Sequence, residues 1–420
     1  MAAAADHDQQ LLQKVQGLSN LELAALLSLV AREHCLISTS PEAVDELTEE
    51  LRLVASRTFG LSSAVISCHA HTTLDDFATA LLLVPSPQAS SSTSNAGNAS
   101  GRISPFRTRY QPPHHHHDTG GPSSGSYFLS NPRAAGGALS PASSSTAAAS
   151  QTSHPQIANV ILAKHLDRAP RAVQIQALEL LRTRRIFTRT NIQTAPKQFL
   201  FVAVVGATSG GCAHVSPHLN DFFYLAHWHD PEEGFDYLDE EDESSADSDD
   251  DVASTSSSVS VVRQGSFASP PSGRRSVTST RLYASVPHKQ PVLSEADLVT
   301  LAQRSRQVHV NVDVTRYQMN VISFLRTHRA VGGGITPTAT KHFEQLMRSL
   351  APLHGLDFVT PSLVALAAKK VYLHRIKMVA PESERSMQWG SELQAIETIL
   401  EGIGPEDVIE DVLGMVAAPS

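Results

Sequence analysis

TRYQMNVISFLRTHRAVGGGITPTATKHFEQLMRSLAPLHGLDFVTPSLVALAAKKVYLHRI, residues 315–376, is the most regularly patterned stretch of this chain. Apolar residues recur there at three- and four-residue spacing in three runs, which predicts helices over 316–328, 336–350 and 361–377. Glycines at 332–334 and the Pro- and Gly-containing segment 352–357 supply the turns between them. Upstream, Ser294 stands where it caps a helix over 295–305, and the extended HVNVDV at 309–314 joins that helix to the next. The pattern predicts a helical bundle over 291–379. A helical tail over 380–420 follows, with amphipathic stretches at 387–400 and 405–416.

Two further blocks are patterned, and the segments between them are not. In 1–85, residues 18–34 carry a helical repeat with Ser19 and Glu22 as a capping box. Residues 41–56 repeat the pattern with Ser40 as cap and Pro41 at the first helical position. AVISC at 64–68 reads as a strand, and 75–83 as a helix. In 157–236, residues 159–166 read as a strand and turn, 170–185 as a helix and 186–192 as an edge hairpin. FLFVAVV at 199–205 is a continuous apolar run of the kind buried in a parallel sheet, and 222–226 is a further strand. Strands alternating with helices predict an α/β sheet covered on both faces.

Residues 86–156 and 237–290 are rich in Ser, Ala, Gly, Thr and Pro and are expected to be disordered insertions. The first holds His114–His117 and the second opens on DEEDESSADSDDD, which supplies much of the net charge of −9. A histidine tract in such a setting reads first as low complexity rather than as a metal site. Cys35, Cys68 and Cys212 are widely spaced and form no C-x-x-C pair, which fits a reducing compartment and excludes a disulfide scaffold. No apolar run reaches the length of a membrane span, and the N-terminus lacks a secretory pattern. An intracellular protein of cytoplasm or nucleus is expected.

The 315–376 stretch resembles the helical lid of the magnesium-chelatase I-subunit and MoxR branch of AAA+ ATPases. The resemblance rests on Tyr317, on Gly334-Ile335-Thr336-Pro337-Thr338-Ala339, on Leu353 to Pro361 and on His374-Arg375. NVILAKHLDRAPRAVQIQALELLRTRRI resembles the strand and helix around that family's Walker B carboxylates, which fall here on Ala163 and Lys164. The polar sensor position falls around residues 207–209. VSPHLNDFFYLAHWHD resembles the segment that ends in D-R-F, with Asp221 kept and Phe222 in place of the arginine. The resemblance implies a P-loop NTPase type three-layer αβα core, completed by blocks 1–85 and 157–236, with a C-terminal helical lid. It places the P-loop after the 64–68 strand, at Cys68, His69, Ala70, His71, Thr72 and Thr73. The Ser- and Ala-rich insertions and the lid wording also look like a fungal family of magnesium-chelatase-like proteins, some connected with maintenance of telomere capping.

Against that resemblance the phosphate chemistry is missing. A P-loop needs glycines whose backbone N–H groups curl around phosphate and a lysine for the β- and γ-phosphates. Residues 68–73 offer neither. Thr72 and Thr73 could present hydroxyls to Mg²⁺, although two threonines ahead of a helix more commonly cap it. Ala163 cannot hold a metal, Lys164 reverses the expected charge, and the lid arginine falls on Thr338. With four elements lost, no catalytic residue is assigned, and ATP with Mg²⁺ remains only a weak expectation.

His214, His218, His227 and His229, with Asp221 and Asp230, match no zinc spacing and read as loop residues around a strand. Arg182, Arg184, Arg185 and Arg189 read as cations at a helix C-terminus, with nucleic-acid contact as the weaker alternative. The expected function is therefore a non-catalytic pseudo-ATPase, a scaffold or adaptor docking a protein partner or an active AAA+ relative. The alternative is a divergent ATP-dependent magnesium-chelatase-type ATPase.

Overall fold

The computed structural model describes residues 2–83, 156–188, 191–239 and 290–419, with side chains from residue 9 onward. The four-histidine tract, Arg189 and the bulk of both Ser-rich stretches expected to be disordered lie outside the described residues.

Helix α1 (Ala2–Gln16) leads into α2 (Asn20–Ala31). The Ser19 hydroxyl accepts from the Glu22 N–H at 3.3 Å, and the Glu22 carboxylate accepts from the Ser19 N–H at 2.8 Å, forming the expected capping box. Arg32, at φ 58°, ends the helix in the left-handed region. The chain then enters β1 (Cys35–Thr39), a strand absent from the sequence reading. Helix α3 (Val44–Leu53) begins three residues later than expected. Ser40 does not cap it. Residues 40–43 instead close a turn through the Ala43 N–H to the Ser40 carbonyl at 3.1 Å, and Pro41 lies in that turn.

Next come β2 (Ser63–Ser67), α4 (Leu74–Ala80), β3 (Val160–Lys164) and α5 (Arg171–Thr183). A small antiparallel hairpin pairs Arg185–Phe187 with Ile192–Thr194. β4 (Leu200–Gly206), the four-residue α6 (Pro217–Asn220) and β5 (Leu225–Trp228) complete the core. The last strand starts three residues beyond the predicted one, because Phe222 and Phe223 still belong to the loop after α6.

All five strands are parallel, in the order β2-β3-β4-β1-β5. Alternating side chains divide the core in two. Cys35, Ile37, Leu162, Val202 and Leu225 pack with α2, α3 and the C-terminal bundle. Leu36, Ile161, Ala163, Phe201 and Ala226 pack with α4 and α5. A sheet covered on both faces needs apolar residues at consecutive positions, as β4 has, so no alternation of polar and apolar marks it in the sequence.

The bundle consists of α7 (Glu295–Gln307), α8 (Val312–Thr327), α9 (Pro337–Leu353) and α10 (Pro361–Tyr372). Thr336 and Thr360 cap α9 and α10 with proline at the first helical position, which fixes where each begins. A short antiparallel pairing of Val331–Gly333 with Lys377–Met378 closes the bundle. Gly334 sits at φ +101°, where a Cβ would lie 1.8 Å from the Arg375 carbonyl oxygen, so the chain can pass there only as glycine. Helices α11 (Leu393–Leu400) and α12 (Pro405–Met415) form the tail. Among the described residues no helix is long and apolar enough to cross a membrane.

Candidate functional site

In open α/β sheets ligands bind beyond the carboxyl ends of the strands, where the strand order reverses. Here β1 connects to β2 at one edge, and β4 connects across β1 to β5 at the other edge. The crevice therefore lies at the ends of β1 and β4, beside the end of β3. The residues that meet there are the 40–43 turn, the first turn of α3, Lys164 and Gly206.

The turn lies flat on the sheet. A Cβ on Gly206 would be 3.0 Å from the Pro41 Cα and 3.1 Å from Val44 Cγ2, so only a glycine at the end of β4 lets the two approach. The Ala207 N–H bonds the Thr39 carbonyl at 2.9 Å and holds β4 beside β1 past their paired region. A loop that cradles phosphate presents consecutive N–H groups around an open concavity. This four-residue connection contains a proline, which has no N–H, and it fills the space above Gly206. Asp45 and Glu46 occupy the first turn of α3, where a helix N-terminus favours negative charge.

Lys164, at the end of β3, forms an ion pair with Asp45 across the crevice. The lysine side chain is mostly buried, with 18% exposed, whereas 77% of the Asp45 side chain is exposed. Burial lowers the Lys164 ammonium below its ordinary range. The arrangement brings its own anion to the helix N-terminus and its own cation to the strand end.

The sequence-predicted residues are placed elsewhere. Residues 68–73 follow the edge strand β2, three strands from β1 and so about 14 Å away at the usual strand spacing. Their polar groups are satisfied locally. The Thr72 hydroxyl accepts from the His69 N–H at 2.9 Å, and His69 Nδ1 accepts from the His71 N–H at 3.1 Å. The Thr73 hydroxyl accepts from the Asp76 N–H at 3.2 Å and so caps α4. Cys68 is buried, and Ala70 contributes only a turn. Ala163 is fully buried on the opposite face of the sheet. Thr338 lies in the first turn of α9; its neighbour Thr336 makes the capping bond to the Ala339 N–H at 3.0 Å. Of the predicted set, only Lys164 reaches the crevice. Asp45 and Gly206, which meet it there, were missed. The missing signal was β1 itself, whose recognition would have moved the phosphate position to residues 40–44.

His227 and His229 are buried, and among the described residues no group of three metal-ligating side chains assembles. Arg184 donates to the Arg32 carbonyl at 2.7 Å and lies over the Phe199 ring, where it packs beside the start of β4.

A second polar centre joins the bundle to the sheet. Arg375, 2% exposed, donates to the Phe223 carbonyl, to the Asp221 carbonyl at 3.2 Å and to His342 Nδ1 at 2.7 Å. It also pairs with the Asp221 carboxylate at 3.4 Å, while Thr336 donates to the same carboxylate oxygen at 2.6 Å. Asn220 donates to the His374 carbonyl, and the His374 ring meets the Phe223 carbonyl at 3.2 Å. Burial lowers the Arg375 guanidinium to about 10, an effect that Asp221 opposes. Burial, with Arg375 alongside, pushes His342 down to about 3, so it accepts as a neutral ring. The loop entering β5 is thus clasped by the end of the bundle.

A parallel sheet in this order, helices on both faces and a C-terminal bundle define a P-loop NTPase type αβα protein with a helical lid. The AAA lid domain family matches residues 323–396, from within α8 to the start of α11. The crystal structure of a Cytophaga hutchinsonii protein provisionally assigned as an ATPase is similar over 100% of this chain and 99% of that one, with a TM-score of 0.56. At 12% identity, that likeness speaks for the fold alone. "Maintenance of telomere capping protein 2" of Lachancea thermotolerans is 31% identical over 104 residues. Those residues are 24% of this chain and 36% of that protein, so the chain matches about a third of its relative's length. The fold is that of the AAA+ ATPases, with a C-terminal AAA lid.

Proposed function

We propose that this AAA+-fold chain is a pseudo-ATPase that works as a scaffold or adaptor for a protein partner. The observation that carries the reading is the Lys164–Asp45 pair beside the closed 40–43 turn. Phosphoryl transfer is catalysed by positioning and by charge stabilisation of the transferred group. At the crevice the positioning loop is filled by Pro41, and the carboxylate and ammonium satisfy each other. The lid clasp built on Arg375 supports the same reading, because it fixes the lid to the core through the chain's own contacts. The telomere-capping name of the partly matching relative supports a docking role beside other proteins, and a nuclear location fits that role.

The test is calorimetric titration of ligand-stripped protein with ATP and ADP, with and without Mg²⁺. No binding up to millimolar nucleotide is the expected result. Micromolar, Mg²⁺-dependent binding would overturn the reading and favour a divergent magnesium-chelatase-type ATPase.

A further inference from the structure

On the far side of β1 from Lys164, a cavity of ≈ 340 Å³ opens between α1, α2, β5 and the lid helices α9 and α10. Its size falls in the range of roughly 300–1,000 Å³ that small-molecule sites occupy. Leu23, Leu27, Leu346 and Leu350 give it apolar walls, and Lys370 and His227 give it a polar end.

That end has an unfilled requirement. Lys370 Nζ donates to His227 Nδ1 at 2.9 Å. Among the described residues no carboxylate comes within ion-pair distance of Lys370; nearby Glu233 faces His229 instead, at 3.9 Å. With Nδ1 accepting, His227 carries its proton on Nε2, a buried atom with no partner among the described residues. Burial pushes His227 down to about 3, so the imidazole is neutral and accepts from Lys370; burial also lowers the Lys370 ammonium, an effect that Glu233 opposes. An ammonium at the end of an apolar cavity, with one imidazole nitrogen as acceptor and no counter-ion among the described residues, is a costly arrangement that one anionic acceptor relieves.

We propose that this cavity binds a small amphipathic acid: an apolar body among the leucines, ending in one carboxylate held by Lys370, whose ammonium His227 Nδ1 steadies from the other side. A single ammonium matches a single negative charge. A nucleotide polyphosphate would need several cations, and Lys370 is the cavity's only cationic side chain among the described residues. The assignment is independent of whether the crevice at β1 binds nucleotide.

The experiment is calorimetric titration of the full chain with octanoate, with octanol as the neutral probe of equal length and ADP as competitor. Octanoate is expected to bind about tenfold more tightly than octanol, the difference made by one charge-assisted hydrogen bond. Lys370→Met should erase that difference and leave octanol binding unchanged. Leu27→Trp should abolish both, with thermal unfolding confirming that each variant is folded. Equal affinity for octanoate and octanol in the unmodified protein would show an apolar void only and overturn the proposal. Absence of saturable binding, or displacement of octanoate by ADP, would overturn it as well.

Discussion

Two regions of this molecule hold charge at the boundary between sheet and helices, and they are built in opposite ways. At the strand ends, Lys164 faces a carboxylate that is 77% exposed, in one pair at the rim of a closed turn. At the lid seam, Arg375 is buried among Asp221, His342 and the backbone carbonyls of Val371, Asp221 and Phe223, with Thr336 bonded to the same carboxylate. The first is a charge pair that water can replace on one side. The second is desolvated at its guanidinium, with the Asp221 carboxylate reaching solvent at its rim, so Arg375 depends on its partners. The difference lies in how each place holds its charge: the lid attachment rests on a buried guanidinium and its partners, whereas at the strand ends an ammonium and a carboxylate meet in the crevice where sheets of this kind take their ligands.

The largest effect should come from breaking the seam. Arg375→Ala leaves the Phe223 and Asp221 carbonyls without their donor and Asp221 without its cation. Removing one partner of a buried pair costs about 3–5 kcal/mol, and that loss is expected in urea or thermal unfolding. Asp221→Asn should cost less, because the Asp221 side chain is already 27% exposed. A loss under about 1 kcal/mol for Arg375→Ala would put the seam on a level with the strand-end pair and end the contrast.

Acid should also act on the buried histidines, of which His342 belongs to the seam. His34, His227 and His342 are each held near 3 in the fold, against 6.5 when unperturbed, chiefly because burial disfavours the cation. A base whose folded value is depressed binds its proton more readily when unfolded. The stability it contributes is therefore complete above 6.5 and falls as pH drops from there toward 3. Each contributes up to about 1.4 kcal/mol per pH unit in that window. Glu33 works the other way: burial pushes its carboxyl up to about 6 from 4.5, so the native state takes a proton there and offsets one histidine. Urea midpoints should thus decline on acidification from neutrality, and a flat profile would mean the three rings are hydrated.

How much of this was legible in the sequence differs by region, for physical reasons. Lid helices carry their apolar residues on one side, so spacing alone reveals 316–328 and 361–377 close to where α8 and α10 form. The cap-and-proline pairs Thr336-Pro337 and Thr360-Pro361 mark two of their starts. β1 left no such trace. It is buried on both faces, offers only Cys35, Leu36 and Ile37 as apolar residues, and ends in Ser38 and Thr39, whose hydroxyls are fully buried without partners among the described residues. Propensity sees two polar residues, and only the assembled sheet shows them inside. With β1 unseen, the phosphate position moved to the next strand–loop–helix unit, at residues 68–73. Lys164 was found because the aligned strand fixed its place; Asp45 and Gly206 depend on contacts across the crevice. Gly206→Ala checks that placement. With Pro41 Cα only 3.0 Å from the new methyl group, about 1–3 kcal/mol should be lost, whereas an arched loop would accommodate alanine freely.

The smallest effect expected is at the Lys164–Asp45 pair, and it discriminates most finely between two accounts of the closed crevice. If charge alone excludes phosphate, exchanging the pair by Asp45→Lys with Lys164→Asp puts an ammonium at the start of α3 and a carboxylate at the end of β3, the polarity a nucleotide site requires. If the flat turn excludes it, the exchange changes nothing, because Pro41 still covers Gly206 and no row of free N–H groups appears. The second outcome is expected. Stability of the exchanged protein should stay within about 1 kcal/mol of the original, as for other half-exposed pairs. Asp45→Asn alone should cost more than Lys164→Met alone, since it leaves the more deeply buried member of the pair as an unmatched ammonium. Calorimetric titration of the exchanged protein with Mg-ATP reads the result directly. Gain of binding would reduce the difference between the two regions to one pair of side chains, and continued silence would assign it to the backbone of the 40–43 turn.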